Sequence, residues 1–412
     1  MTDQPSPESE PRPMPQSPSI PLVRLLAMGI GVRFFVDTGI QIFAPYLAAI
    51  AAGLEISIVA LGALISLRSL MGLAAPVLGA VADRIGYRQV MRFLLLVGAA
   101  GAFVLAFSWA LWIAALGILL MGVGLFPFAP VLQAYMSGQI PYARRSRGLG
   151  VVEYGWALAS IVGLSVAGLM IDRFGWRAPF LALGAGLLLA FFVFGALPRT
   201  RAAQAGTRTK DVVLRWRQWP QRLRGLLTLE SNIASTWAAI TANGLSVFAT
   251  SNISIVYGAW LSREYGLTTT RLGLVALVLG LAELSGSVLV SVLGDRLGKY
   301  RSVLASMTFS VAAYVLLPFL NFRVLAIVAG LVLLRFLFEV SLVSNISLLS
   351  EQVPTQRGKV LTLASAAVTI GVALASAIGP LTYSWWGIWG PGLISAVAAL
   401  GATVLFYLRV TE

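Results

Sequence analysis

The 412-residue chain is 58% hydrophobic and only 11% charged, against roughly 25% charged in a soluble domain, so it could not cover a water-facing surface of its own size. It has no cysteine and no histidine. That excludes disulfides, thiol catalysis and a histidine proton relay, and it argues against a zinc, haem or iron–sulfur cofactor.

Residues 1–20 are Pro/Ser-rich and acidic with no early apolar core. They are expected to form a disordered cytoplasmic tail rather than a signal peptide. Twelve apolar runs follow, at 21–50, 56–81, 89–109, 111–138, 148–171, 178–197, 229–261, 271–293, 301–320, 323–350, 357–383 and 387–408. A spanning helix needs about 20 mostly apolar residues. No run shows the period-two alternation of a barrel strand, and only helices otherwise satisfy their own backbone in hydrocarbon. The predicted fold is an all-α membrane protein of twelve transmembrane helices in two pseudo-symmetric six-helix bundles. Residues 21–198 form the first bundle, 199–228 a cytoplasmic linker and 229–408 the second bundle.

Several spans carry ionisable or polar residues, each costing at least about 2.5–3.5 kcal/mol inside a bilayer and therefore a functional candidate. In span 1, Arg33 and Asp37 stand one turn apart, with Gln41 next on the same face. Arg68 lies near mid-depth in span 2. Glu153 opens span 5 close to the interface. Span 7 is polar for a membrane helix and reads as broken or cavity-lining; its Asn243 and Asn252 could bind a solute or bond to neighbouring helices. Glu283 lies near mid-depth in span 8, and Arg335 and Glu339 stand at i, i+4 in span 10. Arg33–Asp37 and Arg335–Glu339 could be local ion pairs or could line a cavity. Arg68 and Glu283 lack a partner in their own spans. They must meet across helices or face solute. Burial favours the neutral form of a carboxyl group, which makes Asp37 and Glu283 the leading proton-carrying candidates.

The positive charge has a topological explanation. With both ends in the cytoplasm, 22 of the 30 basic residues fall in inner loops and tails and five in outer loops, as the positive-inside rule requires. The net charge of +14 therefore does not call for nucleic acid. The linker mixes arginines with Trp216 and Trp219 and could lie on an anionic leaflet or simply connect the halves.

The halves repeat one another. GAVADRIGYR at 79–88 recurs as SVLGDRLGKYR at 291–301, Gln139-Ile-Pro as Gln352-Val-Pro, and ALASIVG at 157–163 as ALASAIG at 373–379, at offsets of 212, 213 and 216 residues. Such repeats mark transporter folds, with the substrate site between the halves. Gly79 is small enough for close helix approach, Gly86 permits a tight turn, and Asp83 could accept from a neighbouring helix N-terminus or an arginine.

The pattern Gly79, Asp83, Arg84, Gly86 and Arg88 resembles the loop 2–3 signature of the major facilitator superfamily, and Asp295, Arg296, Gly298 and Arg301 sit where that family repeats it. The resemblance covers about 21–408. It implies a secondary transporter working by alternating access, with these loop residues gating the conformational change. Departures are Ser291 in place of the first glycine, no arginine in span 4, and no proline in the fifth-span glycine run.

The resemblance favours proton-coupled efflux of a small amphipathic compound. The alternatives are uptake or exchange of an organic anion, or a non-transporting sensor on the same scaffold. No nucleophile–base pair, metal cluster or phosphate loop suggests an enzyme, and no nucleotide domain suggests ATP drive. The expected partners are a small-molecule solute, protons as a candidate coupling ion, and the lipid bilayer, for a monomer in the cell (inner) membrane.

Overall fold

The apolar runs fold as helices because a membrane leaves backbone groups no other partner. The computed structural model describes residues 21–140, 142–198 and 228–411; the predicted tail and almost all of the linker lie outside them. Eleven helices are long and apolar enough to cross a bilayer, and a bent pair supplies a twelfth span. The spans are Leu22–Gln41 with Phe43–Gly53, Ile58–Ile85, Tyr87–Ala106, Leu111–Gln139, Gly148–Phe174, Ala178–Ala196, Ile233–Tyr265, Thr269–Gly294, Lys299–Leu320, Val324–Gln352, Arg357–Trp386 and Trp389–Arg409. The turn predicted at Ser108-Trp109 separates spans 3 and 4.

Spans 1–6 pack on one another, as do spans 7–12. The two sets differ in continuity. Span 1 bends by 56° at Ile42, three residues before Pro45, whose ring removes an amide donor and crowds the preceding turn. Span 2 passes through a 3₁₀ turn, Met71–Ala74, ahead of Pro76. Span 4 breaks at Phe126-Pro127, and span 5 contains a π-helical turn, Ala159–Gly163. Spans 7, 8, 10 and 11 are each single helices. The break expected in span 7 is therefore found in span 1 instead. Pro318 ends span 9 in a 3₁₀ turn, while Pro380 is carried inside span 11.

The halves meet at one end only. At the end away from the termini, span 1 packs on span 7, span 2 on span 11 and span 5 on span 8. Glycines make these approaches possible. A Cβ on Gly258 would collide with the Pro45 carbonyl, one on Gly62 with Ser376, and one on Gly168 with Thr269. Asp172 closes the seam from span 5. Its carboxylate accepts from the Thr269 and Thr270 amides at 3.2 and 2.9 Å and from the Thr269 hydroxyl, at the N-terminus of span 8. At the termini end, Leu22–Gln41 of span 1 and Ala75–Ile85 of span 2 make no comparable contact with the second half among the described residues, and Tyr142–Leu158 of span 5 makes only a slight one with span 8, which leaves a gap towards mid-depth.

Both loop glycines adopt positive φ, +97° at Gly86 and +78° at Gly298, a conformation that L side chains rarely adopt. Each joins two helices with no other loop residue. The repeated glutamine has a structural task in the second half: Gln352 accepts from Asn232 and Ser235 and donates to the Thr411 carbonyl, fastening spans 7 and 10 to the chain end.

Candidate interface cavity

Two arginine-centred clusters face the gap. In the first, Arg33 is buried on span 1. Its Nε donates to Asp37 one turn along at 2.7 Å, and its two terminal nitrogens donate to Glu153 of span 5 at 3.2 and 3.0 Å. Gly155 lets span 5 come close enough, since a Cβ there would strike the Arg33 side chain. Gln133 of span 4 also donates to Glu153, at 2.8 Å. Asp37 is buried, whereas the Glu153 side chain is 46% exposed. Arg33–Asp37 is thus a local pair, as the i, i+4 spacing allowed, but the pair is completed from another span.

In the second cluster, Arg335 of span 10 donates to Glu283 of span 8 at 2.7 Å. The i, i+4 pairing of Arg335 with Glu339 does not form. Glu339 instead accepts from Ser287 on span 8. Glu283 and Arg335 are largely buried, with side chains 12% and 21% exposed, and Glu283 also accepts the Trp156 indole N–H from the first half at 3.4 Å. Each cluster sets two carboxylates against one guanidinium. If all are ionised, each carries an excess of one negative charge.

Beside the second cluster, at the seam between the halves, lies a cavity of about 80 Å³. Gln41, Trp156 and Ser160 line it from the first half, and Tyr257, Glu283 and Arg335 from the second. Gln41 is fixed by accepting from Ser160 at 2.6 Å and donating to the Trp156 carbonyl at 3.4 Å. Its walls combine aromatic faces with a few oriented polar groups, the usual make-up of a small-molecule site.

Other predicted residues lie elsewhere. Arg68 is 2% exposed and outside the cavity wall. It donates to the Gly39 and Ile40 carbonyls at 3.2 and 2.9 Å, at the break of span 1, and lies over the Phe43 and Phe126 rings at 4.3 and 5.3 Å. It does not meet Glu283, because the bend in span 1 presents it with carbonyls. Asn252 is buried against span 12, donating to the Pro391 carbonyl and Ser395 at 3.1 and 3.2 Å. It joins helices, as polar groups in a membrane interior commonly do. Asn243 is buried and makes no hydrogen bond to a described residue.

Among the loop-signature residues, Gly79 faces open space. Asp83 is exposed and accepts from the hydroxyl of Tyr87, the first residue of span 3, at 2.5 Å. Arg84, Arg296 and Arg301 are exposed. Arg88 donates to the Leu197 carbonyl at 2.9 Å, holding the end of span 6. The Asp295 side chain lies outside the described set.

Sequence reasoning missed Glu153, Trp156 and Ser160 as site residues, although their spacing of three and four places them on one helix face. It also missed Asp172 and Tyr257. Asp172 carries no local signal, since its partner is a helix end 97 residues away.

A family model described as Major Facilitator Superfamily matches residues 30–242 and again 239–412. The chain is 25% identical over 358 residues to the MFS-type transporter YceJ of Bacillus subtilis (strain 168), covering 85% of this chain and 87% of that protein. It is 26% identical over 299 residues to a multi-drug resistance efflux pump PmrA homolog of Lactococcus lactis subsp. lactis (strain IL1403), covering 70% of each. Among solved structures, a crystal structure of a mutant of the peptide transporter POT superposes with a TM-score of 0.72 at 15% identity, covering 94% of this chain and 93% of that one. At that identity the likeness concerns the fold alone.

Proposed function

This chain belongs to the major facilitator superfamily, a family of membrane transporters, and on that premise we propose that it exports a small amphipathic compound by alternating access, driven by proton entry. The observation that carries the reading is the Glu283 carboxylate in the cavity wall, with Arg335 on one oxygen and Trp156 on the other. Both neighbours donate to the carboxylate. A proton on Glu283 removes the charge that holds them, so proton and solute compete for one group at the seam between the halves. Asp37, behind Arg33, is the second coupling carboxylate. Trp156 and Tyr257 offer the aromatic surface an amphipathic solute needs.

Efflux is supported by the multidrug names carried by relatives such as the PmrA homolog. With the arginine-rich loops and both termini cytoplasmic by the positive-inside rule, the open end faces the cytoplasm, where an exporter loads. Closing it would bring the Asp83 and Asp295 loops against the opposite halves, the gating role assigned to them. Uptake of an organic anion has weaker support. Arg33 and Arg335 are engaged by carboxylates and Arg68 by carbonyls.

The test is flux in proteoliposomes, with solutes chosen by a thermal-shift screen, since binding stabilises the folded state. Asp37→Asn and Glu283→Gln should abolish accumulation driven by a pH gradient while sparing solute exchange. Unchanged coupling in both variants sinks the proposal.

A further inference from the structure

The second half contains a run of small voids apart from the interface cavity. One lies inside the bundle and is walled by Ser246, Thr250, Ser310, Tyr314 and Ser341 among apolar neighbours. The next shares Thr250 and Tyr314 with it and adds Tyr257 and Arg335. Tyr257 and Arg335 in turn line the interface cavity. The three compartments are therefore consecutive, each sharing wall residues with the next, and the series ends at Glu283–Arg335. Each of the two inner compartments, about 10 Å³, has room for about one water and none for an organic solute, and the wall of the second is mostly apolar apart from polar side chains such as Thr250, Tyr314 and Arg335.

Span 10 extends the series towards the termini end. Ser344 and Asn345 stand one turn beyond Ser341. Asn345 is 1% exposed, and neither of its side-chain polar atoms has a hydrogen-bond partner among the described residues; the same holds for the Ser344 hydroxyl. Another turn on, Leu348 forms part of a wide depression at the termini end, with Asn232, Lys299, Glu351 and Gln352.

Orphaned polar groups inside a bundle are costly unless something bonds to them, and polar voids, unlike apolar ones, hold water. The Thr250 and Tyr314 hydroxyls, 2.8 Å apart, can each donate or accept, as a proton relay requires.

We infer that spans 7, 9 and 10 enclose a hydrated proton route from Glu283, past the Thr250–Tyr314 pair, Ser341 and Asn345, to the termini face, separate from the solute cavity. This rests on the coupling role proposed for Glu283. The step is a proton transfer only. A Glu283 oxygen gives its proton to water, hydronium leaves towards the termini face, and Arg335 keeps its own proton. The groups facing Glu283 are Arg335 and Glu339 of span 10, Trp156 of span 5 and Tyr257 of span 7. Neutralising Glu283 leaves Arg335 with Glu339 as the remaining acid. A separate route would let the proton leave while solute occupies the interface cavity.

The chain has no cysteine, so single cysteines report hydration without background. Silver ion is the probe, being thiol-reactive and small. Asn345→Cys and Ser310→Cys should react with it in liposomes, while Leu333→Cys, on an exposed apolar position, should not. Ser341→Leu, which fills the void, should lower pH-driven accumulation about tenfold or more while leaving solute exchange within about twofold. Ser310→Leu serves if that variant fails to fold. Unreactive cysteines at both buried positions overturn the route whatever the coupling. Reactive cysteines with full pH-driven transport in both leucine variants also overturn it, provided Glu283→Gln is uncoupled. If Glu283→Gln itself transports normally with the pH gradient, the coupling reading fails and the route falls with it.

Discussion

Glu153 on span 5 takes both terminal nitrogens of Arg33 on span 1, 120 positions away in the chain, while almost half of its side chain stays open to the gap. Asp37 holds the same guanidinium from the buried side. The arginine is thus shared between a carboxylate that water can reach and one that it cannot.

That sharing predicts unequal costs. Arg33→Gln strands Asp37 in the interior and should lower stability by about 3–5 kcal/mol, the usual cost of orphaning a buried charge. Glu153→Gln should cost about 1 kcal/mol or less, because its carboxylate is screened by water. Arg33→Met combined with Asp37→Leu should recover much of the loss. Thermal unfolding in detergent ranks the three. Equal losses for Arg33→Gln and Glu153→Gln would contradict the assignment.

Asp172 clamps the closed end by placing a carboxylate on the span 8 N-terminus, an arrangement worth about 0.3–2 kcal/mol. Asp172→Ala should shift the conformational balance away from the closed far end by up to about thirtyfold. A cysteine at Ala44, which lines the interface cavity, should then label faster from the far side. No change in rate would show that glycine packing alone holds the seam.

Gly258 has no room for a side chain against Pro45. Gly258→Val should block closure of the far end and hold the transporter in the opposite state. The expected readout is loss of solute exchange together with fast far-side labelling of the same Ala44→Cys reporter. Wild-type exchange in this variant would mean that the two spans separate at little cost.

Arg68 serves two carbonyls and two aromatic rings with one planar group. Lysine keeps the charge but not the fork or the stacking. Arg68→Lys should therefore destabilise by about 2–3 kcal/mol, from an unpaired carbonyl and lost packing. A melting temperature within error of the parent would remove Arg68 from the account of the span 1 break.

The spans were legible because hydropathy and length are properties of a single segment, and the loop signature because Gly86 and Gly298 encode their own turn. The cluster around Arg33 was half legible, since Asp37 is one turn away and Glu153 is on another helix. Arg335 shows the converse. Helical spacing offered Glu339, and the fold supplied Glu283, because span 8 packs on span 10 at that level. Asn252 and Arg68 look alike in sequence, as polar groups in apolar runs, yet both bond within the protein rather than line the cavity. What a buried polar group faces depends on neighbouring helices that its own segment does not specify. The bend in span 1 had a local cause in Pro45, whereas the polarity of span 7 resembled a break without producing one.

The contrast between interrupted and continuous spans bears on the mechanics of the molecule. Spans 1, 2, 4 and 5 already have disrupted hydrogen-bond ladders near mid-depth, so they can flex there without sacrificing further backbone bonds. Spans 7, 8 and 10 would have to break bonds to bend, whereas span 11 already lacks one at Pro380. The first half is the compliant member and the second the stiff one. Work done by ligands at the interface is therefore stored mainly as curvature in the first half, around Arg68, and released against a frame that keeps its shape.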